Sequence, residues 1–221
     1  AYFMTNDSAP NYKLIKVVLD KQPFTIETVI NESKDVLNGI SATKDYWVIH
    51  YQQDVKSKLY LADKTGKILN EIKLPAIGTI TDISTYFDHN NVYFTFTSYI
   101  YPPTIFKYNA DTKTLTEFFK TSLKFNPDDY ITEQVFYTSK DGTQIPMFIT
   151  HKKDIKLDGN NPTLLYGYGG FNISVLPTFS IKVIPFLEKG GIYAVPNIRG
   201  GGEYGKKWHE AGIKERKQNV F

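Results

Sequence analysis

Two glycine-rich segments near the carboxyl end hold the residues best suited to chemistry. In residues 164–171, LLYGYGGF, Gly167, Gly169 and Gly170 interleave with Tyr166, Tyr168 and Phe171 directly after an apolar strand. Glycines let a backbone pass close to a ligand, and the neighbouring rings offer a phenol donor and an apolar wall. Judged by spacing alone, packing of all three rings in a core is the simpler account, since most buried aromatics do only that. The second segment, residues 197–205 (NIRGGGEYG), also follows an apolar strand. Glycine turns after strands are the layout of an α/β enzyme whose loops carry an active site.

Gly200, Gly202 and Gly205 satisfy the spacing of a dinucleotide fingerprint, but Lys206-Lys207-Trp208-His209-Glu210 is too polar and bulky for a helix packing tightly on that strand. The same residues nearly match a phosphate-binding loop. Lys207 stands where a hydroxyl must reach magnesium, so that reading falls too. No serine lies in a G-x-S-x-G setting, the strained turn that presents a nucleophile in many α/β hydrolases. The expectation is a piece of an enzyme. Cysteine is absent, and His50, His89, His151 and His209 lie far apart, so neither thiolate catalysis nor a metal site is expected, and no cofactor.

The elements that must position these loops begin with a repeat. Stretches of alternating aromatic and polar residues recur at 2–6, 46–50 and 92–96, and a second strand at 13–16, 58–61 and 104–107. The period is about 45 residues. Turns rich in Asp, Asn and Gly follow at 63–67 and 109–113, each leading into another strand. A unit with room for about four strands matches a β-propeller blade, with an evenly spaced β-sandwich as the alternative. The pattern breaks at Asn126-Pro127-Asp128-Asp129. Beyond it, residues 134–138 and 144–150 flank a hairpin turn at 139–143. A short, buried-looking strand at 164–166, a helix at 180–189 ended by Gly190-Gly191 and a strand at 192–198 are then expected. Strand, helix, strand is the onset of a parallel sheet.

The 26 Lys and Arg are interleaved with 23 Asp and Glu and form no stripe, which argues against a nucleic-acid partner. No apolar run reaches the length of a membrane span, so no membrane partner is expected. A cytoplasmic location is expected, with a periplasmic one open if a leader has been removed.

Residues 139–148, LLYGYGGFNIS, NIRGGGEYGKKWH and KQNVF, together with TNDSAPNYKL and FTFTSYIYPP in the repeat, resemble the prolyl oligopeptidase family over essentially the whole chain. The resemblance implies about three blades of a seven-bladed propeller in residues 1–127, then the opening strands of an α/β-hydrolase domain in residues 128–221. It implies a monomeric serine endopeptidase that cleaves short proline-containing peptides after proline. The Ser-Asp-His triad would lie beyond Phe221, in the remainder of the same chain, leaving this segment inactive alone. Carried over by position, Tyr168 would stabilise the oxyanion and Phe171 would line the proline pocket. Arg199 and Glu203 are expected to form a partly exposed structural pair, and His209 to be structural. The rival readings are a non-catalytic propeller-type binding module and a hydrolase of another acyl substrate, such as an esterase.

Overall fold

Alternation of apolar and polar residues puts alternate side chains of a strand on opposite faces. That period organises the first 120 residues into three antiparallel sheets. The computed structural model describes residues 1–20 and 22–221. The first sheet holds β1 (Tyr2–Thr5), β2 (Lys13–Val18) and β3 (Thr25–Ile30) in sequence order. The second comprises β4 (Val36–Ala42), β5 (Trp47–Gln53), β6 (Lys56–Ala62) and β7 (Ile68–Ile72), and the third β8 (Thr79–Thr85), β9 (Asn91–Thr97), β10 (Thr104–Asn109) and β11 (Thr114–Lys120). β1, β5 and β9 occupy equivalent places, as do β2, β6 and β10. The repeat read from the sequence is therefore a set of propeller blades.

The blades stack face to face. Trp47, Ile49 and Tyr51 of β5 pack with Leu14 and Ile30 of the first blade, whereas Val48 packs with Ile80, Phe94 and Phe106 of the third. Both faces of β5 are thus covered, which explains why all but one of its residues are buried. The rings of Phe94 and Phe106 stack with centroids 5.7 Å apart. Such pairs contribute roughly 0.5–1.5 kcal/mol beyond area burial.

The turn between β6 and β7 shows why its chemistry recurs. Asp63 Oδ1 accepts hydrogen bonds from Thr65 N at 2.9 Å and Lys67 N at 3.1 Å, while Gly66 takes φ +92°. A Cβ on Gly66 would lie 2.1 Å from the carbonyl oxygen of Val29 in the neighbouring blade. This turn is a contact between blades as well as a reversal within one.

The cluster at 126–129 forms a 3-10 turn, Pro127–Asp129, capped by the Asn126 side chain, which accepts from Asp128 N. A fourth sheet follows, in the order β12 (Tyr130–Thr138), β13 (Gln144–Lys152), β15 (Ile192–Pro196), β14 (Thr163–Leu165). β14 and β15 run parallel, joined through α1 (Ile184–Glu188). The helix is shorter than the expected 180–189. Pro185, which has no N–H to give to a preceding turn, sits in its first turn, and Gly190 at φ +82° lies beyond its end. The expected burial of residues 164–166 is also corrected, because Leu164, Leu165 and Tyr166 are exposed. Within these 221 residues β14 pairs only with β15, and a strand paired on one side has fewer neighbours to cover it.

Candidate functional site

The loop that follows β14 is fixed by what its glycines permit. Gly169 takes φ +64°, and a Cβ there would come 2.6 Å from Ile198 Cγ1 and 2.7 Å from the carbonyl oxygen of Arg199. Gly200, at φ +97°, lies so close that its own Cβ would meet the Gly169 carbonyl oxygen at 2.5 Å. The two glycine-rich loops are therefore interlocked backbone against backbone. Lys217 Nζ donates to the Gly169 carbonyl at 2.9 Å, and Asn172 N to the Gly200 carbonyl at 3.1 Å.

Phe171 and Asn172 both adopt left-handed backbone, at φ +54° and +57°. Two successive non-glycine residues in that region are held by their surroundings at a cost of order 1–3 kcal/mol each. Strain of this kind collects where geometry serves a ligand. The strained turn presents the Phe171 side chain, which is 82% exposed, and Tyr168 on the same loop is 45% exposed. Within these 221 residues neither ring is packed in a core.

The second loop leads into α2 (Gly205–Glu210), of whose residues only Gly205 is buried. The helix is short, and Trp208 packs on Tyr204 with ring centroids 4.9 Å apart. His209 Nδ1 lies 2.7 Å from the Gly200 carbonyl and 3.1 Å from Asn172 N, so the ring rests on the backbone of both glycine-rich loops. These backbone contacts are in keeping with the structural role read from the sequence.

Arg199 and Glu203 do not pair with each other. Arg199 is buried and reaches the β12–β13 hairpin, donating to Asp141 Oδ2, to Thr143 Oγ1 at 3.2 Å and to Ser139 Oγ at 3.0 Å. Hydrogen bonds from Arg199 and Thr143 hold the Asp141 carboxyl down at about 2. Glu203 is buried instead of partly exposed, and burial pushes its carboxyl pKa upward. Its Oε1 accepts from Val175 N at 2.9 Å, and its backbone carbonyl accepts from Gln52 Nε2 of β5 at 3.0 Å. The hairpin takes up Nη1 and Nη2 of Arg199 through Asp141, Thr143 and Ser139, and Glu203 turns inward to the Val175 backbone donor.

Sequence reasoning missed the residues that join the blades to the fourth sheet. Val55 in the β5–β6 turn and Tyr99 in the β9–β10 loop pack against Phe148 of β13 and Val195 of β15. Asp54 accepts at its carbonyl from Gln134 Nε2 at 2.6 Å and at Oδ1 from the Tyr204 hydroxyl at 3.0 Å. Burial, reinforced by Asp54, pushes the Tyr204 pKa upward, so its hydroxyl remains a donor. Asp54 and Val55 both have positive φ, a conformation that neither residue type announces in sequence.

Residues 1–121 match the family model described as prolyl oligopeptidase, N-terminal beta-propeller domain, and residues 177–221 match that of the prolyl oligopeptidase family. Over all 221 residues the chain is 48% identical to the prolyl endopeptidase of Elizabethkingia miricola, and it is 40% identical to that of Dictyostelium discoideum; it covers 31% of each. A solved structure from a study of two prolyl endopeptidases superposes with a TM-score of 0.90 at 40% identity, covering 99% of this chain and 33% of that one. Prolyl oligopeptidase B from Galerina marginata, bound to a 35mer hydrolysis and macrocyclization substrate, gives a TM-score of 0.91 at 37% identity, covering 99% of this chain and 32% of that one. The chain thus spans about a third of the length of these relatives. With its propeller blades, its mixed sheet and the two interlocked loops all accounted for, the chain belongs to the prolyl oligopeptidase family.

Proposed function

We propose that this chain is part of a serine endopeptidase that hydrolyses short peptides on the carboxyl side of proline through an acyl-enzyme. The observation that carries the reading is the placement of Tyr168 and Phe171, both exposed, three residues apart, on a loop whose backbone is set by glycine contacts. When a serine attacks the scissile carbonyl, its oxygen becomes an oxyanion, and a donor already held in place stabilises that charge. Tyr168 supplies the donor. Phe171 supplies an apolar wall for a pyrrolidine ring, which has no N–H to satisfy. The names of the relatives, and the peptide bound in the Galerina structure, support the substrate class.

In this reading residues 1–127 belong to the propeller, residues 128–221 begin the catalytic domain, and the enzyme works as a cytoplasmic monomer. The nucleophile, its base and the acid that orients it come from chain outside these 221 residues, because no serine here occupies a G-x-S-x-G turn. The segment alone is therefore inactive.

The test uses the longer enzyme. Tyr168→Phe should lower kcat by about 10²–10³ with little change in KM, the loss typical of one oxyanion donor. Phe171→Ala should narrow the rate advantage of proline over alanine at the cleaved bond. An unchanged kcat in the tyrosine variant removes the oxyanion role, and ester cleavage without proline preference favours a hydrolase of another substrate class.

A further inference from the structure

Between the blades and the second glycine-rich loop lies a cavity of about 350 Å³ that neither Tyr168 nor Phe171 lines. One wall comes from the propeller, through Asn6, Asn38 and Gln52, and the other from the catalytic part, through Asn172, Ser174 and His209. The volume lies within the range of about 300–1,000 Å³ found for ligand clefts.

The chemistry of this lining is specific. Four carboxamides and the hydroxyls of Tyr12 and Ser174 can each donate and accept, although Gln52 Nε2 is already given to the Glu203 carbonyl. His209 adds an imidazole to the lining. Lys206, the charged residue of the lining other than histidine, lies 3.7 Å from Glu210 and is offset by it. A small anion would find little net positive charge here, and an apolar ligand would leave the amides unpaired. A chain of alternating N–H and C=O groups satisfies such a wall whatever its side chains are.

The position of the cavity fits the same occupant. Asn172 follows Phe171 directly, in the same left-handed turn, so a peptide whose proline ring rests on Phe171 has the cavity within reach of its neighbouring residues. We infer that this cavity is a subsite for the backbone of an extended peptide substrate, filled by residues beyond those next to the cleaved bond. The inference rests on the endopeptidase reading above. Because the two walls belong to different parts of the chain, the subsite is complete only while Gln52 remains bonded to Glu203 and Tyr204 to Asp54. A long peptide that fills it favours the apposed arrangement by mass action.

The test compares two substrates of the longer enzyme, a minimal peptide with a chromogenic leaving group after proline, and peptides extended by six residues on either side of the same bond. Asn38→Leu and, separately, Asn6→Leu replace exposed carboxamides outside the catalytic loop. Each should lower kcat/KM for at least one extended peptide by about tenfold, as expected when a peptide group loses its partner, and leave the minimal substrate within about twofold. Equal losses on all substrates, or none on the extended ones, would overturn the subsite while leaving the endopeptidase reading intact. An unsubstituted enzyme that cleaves none of these peptides would remove both.

Discussion

The hydroxyl of Tyr204 donates to the Oδ1 of Asp54 at 3.0 Å, joining residues 150 positions apart and tying a propeller turn to the glycine-rich loop. The hydrogen bond is partly buried and ends on a carboxylate, which places it among the stronger kinds.

Tyr204→Phe keeps the ring against Trp208 and removes only the hydroxyl. The expected cost is about 1.5–3 kcal/mol, the range for a hydrogen bond to a charged group, discounted toward the lower end by partial exposure. Limited proteolysis of the longer enzyme and of the variant should show faster cutting at the junction. A variant that matches the parent in both melting temperature and cutting rate would mean that Asp54 finds an equivalent donor in water.

Gly200→Ala places a methyl group 2.5 Å from the Gly169 carbonyl in a backbone region that alanine resists. The loop must move, and Tyr168 and Phe171 move with it. The expected loss of stability is at least about 1–3 kcal/mol. Circular dichroism melting should show it, together with a larger fall in kcat than the stability loss explains.

Asp141 sets an acid-side dependence. Its folded pKa of about 2 lies below the unfolded value, so the unfolded state binds the proton more readily and stability rises with pH between those values. The contribution is complete above about pH 4 and is lost as pH falls toward 2. Asp141→Asn should flatten that part of the profile in denaturant titrations between pH 2 and 5. A slope unchanged by the substitution would assign the effect to other carboxylates.

Glu203 works in the opposite sense. Burial raises its folded pKa, so the folded state holds the proton more tightly and stability falls as pH rises from the unfolded value of about 4.3 toward the folded one. Glu203→Gln retains an oxygen for Val175 N and carries no charge to bury. It should therefore be at least as stable as the parent at neutral pH and lack that decline. A clear loss at pH 7 would show that the ionised carboxylate has a partner which the amide cannot replace.

The propeller was readable because its information is local and repeated. The aromatic alternation at 46–50 and 92–96, and the Asx turns at 63–67 and 109–113, each state their geometry within a few residues and then state it again one period later. The region after residue 129 was less readable because its decisive contacts span long separations. Nothing beside Arg199 in the sequence points to Asp141, 58 positions away, and the nearer Glu203 is the obvious and wrong partner. The exposure of Phe171 was hidden for another reason. A phenylalanine just after a strand reads as core, whereas Phe171 takes left-handed backbone and is exposed within these residues. The same applies to Asp54 and Val55, whose positive φ angles accompany the packing of the propeller turn against the fourth sheet. The cavity had no single signal, since its four carboxamides come from four separate stretches of chain, and none stands out alone.

The absent side chain of Gly66 governs how this repeat can vary. Because the turn sits 2.1 Å, in Cβ terms, from the Val29 carbonyl, neither a larger residue nor an inserted one fits there without prising two blades apart. The turn therefore acts as a gauge block, and drift in repeat length must be taken up in other connections. A protein engineer seeking a place for an affinity tag or a grafted epitope should pass over residues 63–67, exposed and polar though most of them are.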